Sequence, residues 1–288
     1  MKNWAISTVR SAYYAVTEPR RLKNARLDNL DGWAGVWDRG DPLVSVIVPT
    51  HNRRKLLENR ALRSVLSQTY RNVEVLVCAH GCTDGTVEVI NSLIAWYQSR
   101  DDIKEPIELR LIEVPRRQTY PSTAENHWFA GPVDPINAGL KAARGKWIAR
   151  IDDDDTWTPD HIEKLLRFAQ QEDCEFASAL YRTDDGTAPA PYFVRGTRAH
   201  GGNNVGGVQT WLYRGYLKFM RANPDCWRKR WNRVNDTDLQ QRFVDAGVRV
   251  GYLDKVVAHI SPRPGETVIG LKAYQQNRAE TERKLAFR

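Results

Sequence analysis

From residue 43 onward short apolar runs alternate with stretches of helical period, and this alternation limits most strongly how the chain can fold. Leu43-Val44-Ser45-Val46-Ile47-Val48 is a β-branched run stopped by Pro49, the pattern of a strand buried on both faces. Leu56, Leu57, Ala61, Leu62, Val65 and Leu66 then recur at three- and four-residue spacing and predict a helix, with Val73 to Cys78 as the next strand. Thr83-Asp84-Gly85-Thr86 supplies capping residues, Asp84 foremost, for a helix through Val89, Ile90, Leu93 and Tyr97; Ile107 to Val114 reads as a third strand. Asp134 to Ala143 predicts a helix that Gly145 ends, Trp147 to Ile151 a strand, and Thr158-Pro159 the start of a helix towards Gln171. Repeated β and α elements imply an α/β fold with a largely parallel sheet flanked by helices.

Composition excludes several classes. Hydrophobic residues make up 41% of the 288 and charged residues 27%, which suits a folded globular chain with a sizeable core. No apolar run approaches the roughly 18 to 20 residues that span a bilayer, and the N-terminus lacks a signal-type apolar core, so the expected location is cytoplasmic. Cys78, Cys82, Cys174 and Cys226 are too scattered for a disulfide framework and are expected as small reduced hydrophobes. A net charge of +8 suits an anionic partner without choosing among nucleic acid, membrane and phosphorylated substrate. In the first 42 residues Ile6, Val9, Tyr13 and Val16 fall at helical spacing among basic residues, which suits either a helix packed on the main domain or one lying on a membrane surface at the inner face.

Ile151-Asp152-Asp153-Asp154-Asp155 is the strongest chemical signal: four carboxylates directly after a strand, at the sheet edge where open α/β folds bind ligands. Their mutual repulsion calls for a compensating cation, and Mg²⁺ or Mn²⁺ with the phosphates of a nucleotide diphosphate would supply it; an acidic turn capping the next helix is the plainer reading. Asn235-Asp236-Thr237-Asp238-Leu239 opens another periodic helix, ended by Gly247, with Val248 to Leu253 as the following strand. Gly201-Gly202-Asn203-Asn204-Val205-Gly206-Gly207 reads as a mobile loop or a plain turn. Trp211 beside it, and Trp227-Arg228-Lys229-Arg230-Trp231 with Arg233, present aromatic faces and cations suited to a sugar or phosphate of an acceptor, or to a core with a solvated basic face.

VSVIVPTHNR at 44 to 53 and INAGLKAARGKWIARIDDDDTWTPDHI at 136 to 162 resemble the inverting family 2 glycosyltransferases, over about residues 43 to 260. The resemblance implies a GT-A fold, a nucleotide-sugar donor, a glycan or lipid-linked acceptor and a divalent metal. It places Pro49, Thr50, Asn52 and Asn137 at the donor, Asp152 and Asp154 at the outer positions of a DXD motif on the metal, and Asp153 on ribose or diphosphate. It makes Asp236 the general base and Asp238 an acceptor-side residue, and marks His259 as a third metal ligand; His51 and His161 rank below it. Where the family commonly reads the base with an acidic pair, this chain has Ala79-His80-Gly81, so His80 is the remaining candidate for the base and the nucleotide stays open. The expected organisation is a basic helical extension at 1–42, a donor half at 43–157, an acceptor half at 158–260 and a tail at 261–288. A nucleotidyltransferase or phosphoesterase shares the carboxylate and metal signature. A basic nucleic-acid or membrane-binding module leaves the four aspartates unexplained, and nucleic acid is not an expected partner.

Overall fold

Alternate residues of a strand face opposite sides, so a strand apolar at every position can be buried only if both faces of its sheet are covered. The computed structural model, which describes residues 2–29, 40–99, 107–116, 123–198 and 201–279, shows this arrangement. In β1 (Val44–Thr50) Val44, Val46 and Val48 enter one core and Ile47 the other, all at most 1% exposed. The first core is closed by a helix, α2, which runs from Arg54–Leu56 through a π-helical stretch Leu57–Leu62 to Arg63–Leu66, and by α3 (Thr86–Gln98) and α6 (His161–Gln171). The second is closed by α5 (Val133–Ala142) and α7 (Asn235–Ala246); a short α4 (Ala124–Ala130) precedes α5.

The main sheet has eight strands in the order β3-β2-β1-β4-β9-β6-β10-β5. β2 (Val73–His80), β3 (Glu108–Val114) and β4 (Trp147–Arg150) run parallel with β1. Beyond β4 the sheet is mixed: β9 (Leu212–Arg214) is antiparallel to both β4 and β6 (Phe176–Thr183), β10 (Val250–Ile260) is parallel to β6, and β5 (Asp155–Trp157) closes the edge antiparallel to β10. The expectation of a mixed, mostly parallel sheet thus holds, with the first four strands wholly parallel and β6–β10 a fourth parallel pair. The short β5 and β9 escape a reading by period because three residues carry none.

Several boundaries differ from expectation. Pro49 does not stop β1, which continues to Thr50 in register with β2 as Pro49 opposes Cys78. The helix expected at Thr158-Pro159 begins at His161; the Thr158 hydroxyl bonds the Asp160 carboxylate instead of capping the helix. The glycine-rich stretch is not a loop: Gly202–Val205 is β8, paired with β7 (Tyr192–Arg195) in a separate hairpin. Gly206, just beyond it, lies so close to β6 that a Cβ there would stand 1.9 Å from the Ala179 carbonyl oxygen, so glycine serves close packing.

Lys2–Asp28 forms one helix, α1, docked on the domain by the face opposite the expected apolar stripe. Leu22 is 1% exposed, and buried Glu18 accepts two-pronged hydrogen bonds from Arg242 of α7. Arg26 grips Glu175 at 2.6 and 2.8 Å and the Gly247 carbonyl at 2.8 Å. The connector at 30–39 and the last residues of the tail, 280–288, lie outside the described residues. A short helix, α8 (Gly270–Gln276), packs against α4.

His161, the first residue of α6, is fully buried, stacked on Trp157 of β5 at 3.8 Å, and donates from Nδ1 to the Val257 carbonyl at 2.9 Å. Burial pushes its pKa down to about 3. A histidine held neutral in the fold contributes stability that is complete above its unfolded value near 6.5 and is lost as pH falls from there. In urea titrations from pH 6.5 downward, the wild type therefore loses stability more steeply than His161→Phe; parallel curves would contradict this assignment.

Candidate active site

Parallel strands deliver their C-terminal ends to one edge, and here β1, β2 and β4 bring three loops together. The loop after β4 carries the four aspartates, and each meets a different partner. Asp153 turns inward, 3% exposed, and accepts from the Thr50 hydroxyl at 2.8 Å and from Arg53 at 2.9 Å. Asp155 is also buried, in register with Ile260 of β10. Asp152 and Asp154 face the cleft, with side chains 33% and 23% exposed. Asp152 accepts from Arg150 at 2.9 Å, while Asp154 accepts from Arg53 at 3.2 Å and has Arg263 at 4.0 Å.

The electrostatics follow from this packing. Burial, reinforced by Asp154, outweighs Arg53 and lifts the Asp153 carboxyl to about 6. Burial and the three neighbouring aspartates push Asp155 well above the ordinary carboxylate range. The open carboxylates of the loop are Asp152 and Asp154. Two such oxygen donors, with substrate phosphates and water completing the shell, suit Mg²⁺ or Mn²⁺. His259 is not placed with them: it sits on β10 opposite Thr156, and among the described residues no group of three histidine, cysteine or acidic side chains converges to hold a metal. The three-ligand set expected of Asp152, Asp154 and His259 is therefore not assembled among the described residues.

The loops after β1 and β2 brace one another. Asn52, with φ of 51°, accepts from the Thr83 N–H at 2.7 Å, and Asp84 accepts from the N–H groups of Arg54 and Thr86, the first residue of α3, while the N-cap position itself is Gly85 and not Asp84. Pro49 is wholly within β1. His80 is 3% exposed, its carbonyl bonded by His51 Nδ1 at 2.6 Å, so its ring is packed inside the loop base and not presented to a nucleobase. Arg60 bonds the carbonyls of Asp154, Ser261 and Pro262 at 2.8 to 2.9 Å, tying the acidic loop to the segment after β10.

Across the cleft stands the N-terminus of α7. Arg150, 7% exposed, reaches from β4 to both Asp152 and the Asn235 side-chain oxygen, the latter at 3.1 Å. Asp236 is half-buried; burial raises its pKa, Asp152 adds to the rise, and Arg150 opposes it. Tyr181 of β6 lies within electrostatic reach of Asp155, Asp236 and Tyr192, and burial pushes its hydroxyl up to about 12. Arg53, Arg150, Arg263 and Tyr181 were not singled out from the sequence. The signal for the arginines was present in the acidic loop itself, since four adjacent carboxylates require nearby cations.

Three further expectations are corrected by packing. Trp211 is 2% exposed, donates to the Gly206 carbonyl at 2.9 Å and sits among Phe176 and Phe243, so it is a core residue with no free face for a sugar. Asp238, 1% exposed, is held by Lys229 at 2.7 Å, Arg242 at 3.0 Å and Asn223. Asn137 uses both ends of its amide on the Ala222 backbone at 2.9 Å, clamping α5 to the following segment. Cys78, Cys174 and Cys226 are buried and Cys82 half-buried, all as free thiols.

The profile of Glycosyl transferase family 2 matches residues 45–223. A Bacillus subtilis (strain 168) glycosyltransferase, TuaG, assigned to teichuronic acid biosynthesis, is 32% identical over 155 residues, 53% of this chain and 52% of the relative. The Escherichia coli UDP-Glc:alpha-D-GlcNAc-diphosphoundecaprenol beta-1,3-glucosyltransferase WfaP is 30% identical over 139 residues, 48% of this chain and 46% of the relative. The matches thus span about half the length of these curated relatives. Among solved structures, the mannosyltransferase PcManGT from Pyrobaculum calidifontis, in complex with GDP-Man and Mn²⁺, superposes with a TM-score of 0.56 at 17% identity, covering 96% of this chain and 81% of the other, a likeness of GT-A-type fold.

Because Asp238 is a buried counter-ion, Asp238→Ala should lower stability by about 3 kcal/mol, in the range for breaking a buried ion pair. Urea unfolding measures this; a change below about 1 kcal/mol would return Asp238 to the accessible acceptor side.

Proposed function

Since the chain belongs to glycosyl transferase family 2, we propose that it moves a sugar, with inversion, from a nucleoside-diphosphate donor to a hydroxyl of a glycan or lipid-linked acceptor. The observation that carries the reading is the meeting of the acidic loop and the α7 N-terminus across Arg150, which supports a phosphorylated leaving group on one side and a recessed carboxylate as base on the other. The GDP-Man and Mn²⁺ in PcManGT support a nucleotide sugar and a divalent cation, and the diphosphoundecaprenol in the name of WfaP supports a lipid-diphosphate acceptor.

Asp152 and Asp154 would hold Mg²⁺ or Mn²⁺, which would offset the charge developing on the leaving diphosphate. Thr50, Arg53 and Asp153 form the wall of the donor site, Arg53 placing a guanidinium beside the diphosphate, while Asn52 keeps the loop after β1 in place. Asp236 takes the proton of the acceptor hydroxyl as that oxygen attacks the anomeric carbon from the face opposite the leaving group. Burial raises its pKa and so makes it a stronger base than an ordinary carboxylate, while Arg150 opposes that rise. Residues 43–157 serve the donor and 158–260 the acceptor. A lipid-linked acceptor would set the reaction at the inner face of a membrane, with the protein cytoplasmic and peripheral.

The test supplies UDP- and GDP-sugars with Mn²⁺ and a GlcNAc-diphospho-polyprenol, and measures nucleoside diphosphate release. Release that requires the acceptor is expected, with kcat reduced roughly 10² to 10⁴-fold in Asp236→Asn at unchanged thermal midpoint. Full activity of a folded Asp236→Asn would remove its role as base, and pyrophosphate as the product would overturn glycosyl transfer.

A further inference from the structure

The outward face of α1 carries a regular stripe that the fold does not bury. Ile6, Val9, Tyr13, Val16, Arg20, Lys23 and Leu27 follow at alternating three- and four-residue intervals, the spacing of a single helix face. All seven are exposed, with Val9 at 71% and Tyr13 at 58%. Of the nine exposed large hydrophobic side chains among the described residues, five are on this one helix. That concentration differs from the scattered apolar residues of an ordinary surface.

The opposite face is committed to the domain. Ser7, Glu18 and Leu22 are buried, Glu18 is locked to Arg242, Arg26 to Glu175, and Arg10 pairs with Asp225 at 2.8 Å. These contacts fix the rotation of the helix, so the outward stripe is a set orientation and not a chance view of a loose terminus. The division of charge is equally clear. Arg20 and Lys23 point outward, whereas the acids of α1 are Glu18, buried in the dock, and Asp28, at the helix end. The stripe is therefore apolar in its first half and cationic in its second, with no carboxylate on it.

The first half of the stripe belongs to a shallow, open, largely apolar surface formed by Ala5, Ile6, Val9, Arg10, Tyr13 and Tyr14 of the same helix. The first turns of α1 dock beside Cys226–Arg228, where the Ser7 hydroxyl donates to the Arg228 carbonyl, and the chain then runs into Arg230 and Trp231. Trp231 is 73% exposed, with the Arg230 guanidinium 5.4 Å from its ring centroid.

We propose that this face of α1, with Trp231 beside it, is a docking surface for an anionic lipid bilayer, on which the helix lies in the interfacial plane. Aliphatic and tyrosine side chains enter the acyl boundary, tryptophan takes its usual place at the headgroup level, and Arg20 and Lys23 meet lipid phosphates. A second copy of the chain fits this surface poorly. A parallel two-fold pairing of identical stripes would bring Arg20 and Lys23 towards their own kind, and an antiparallel one would set them against the apolar half, with no acid to receive them in either. The inference rests on α1 and not on glycosyl transfer, and a lipid-binding assay without donor or acceptor separates the two.

The experiment is flotation of the full chain with vesicles of phosphatidylcholine alone and of phosphatidylcholine mixed with phosphatidylglycerol. The protein is expected to float with the mixed vesicles and to remain largely behind with phosphatidylcholine. Val9→Asp/Val16→Asp and Arg20→Glu/Lys23→Glu alter only exposed positions, and each should weaken flotation by about tenfold or more at unchanged thermal midpoint, the scale set by two interfacial cations or two apolar anchors. Failure of the wild type to float overturns the proposal, as does flotation of both variants at the wild-type level. Equal flotation on both lipid mixtures overturns the anionic preference. A concentration-dependent dimer that the Val9→Asp/Val16→Asp change dissolves, without lipid binding, would assign the face to self-association.

Discussion

Four consecutive carboxylates at the mouth of a buried sheet form the constraint around which the rest of the molecule is arranged. Chain connectivity forces Asp152 to Asp155 together, so their charge can be relieved only by turning side chains apart and setting cations among them. The structure does both. Asp153 and Asp155 turn inward, Asp152 and Asp154 outward, and Arg53, Arg150 and Arg263 approach from three different segments of the chain. Arg53 and Arg263 tie distant segments to the loop and Arg150 links it to α7, so the offsetting of charge also assembles the cleft.

Arg150 has the widest reach. It is anchored at the end of β4, the strand that carries the acidic loop, and extends to α7, which belongs to the other side of the cleft. The two carboxylates it influences, Asp152 and Asp236, are those to which the proposed function gives the donor and acceptor sides. α7 is itself held by a buried network of Asp238, Lys229, Arg242 and Glu18, which passes into α1. The N-terminal helix is in this way linked to the helix that presents Asp236, and an ionic seam joins the outermost element to the site.

What could be read from the sequence divides along physical lines. β1 to β4 with their helices were legible because strands buried on both faces, and helices with one buried face, impose strict periods. Glycosyl transferase family 2, and the fold that goes with it, were legible from the segments at 44–53 and 136–162. The hairpin β7–β8 was misread because its glycines permit close packing as readily as disorder, and only the distance to Ala179 decides between them. Trp211, Asp238 and Asn137 carry side chains suited to ligands, yet their partners lie 4 to 85 residues away in sequence and use them for packing and ion pairing. The apolar stripe of α1 was visible, but which face meets the domain depends on Glu18 and Arg26 finding partners on distant elements.

The central claim is that the acidic loop and the loop after β1 make a metal-assisted site for a nucleoside diphosphate. Titration calorimetry of UDP and of GDP into the protein, with and without Mn²⁺, tests it without any acceptor. One nucleotide should bind with Mn²⁺ present, and Asp154→Ala should abolish the Mn²⁺-dependent part while leaving the protein folded. No binding of either nucleotide, or binding indifferent to both Mn²⁺ and Asp154, would contradict the account.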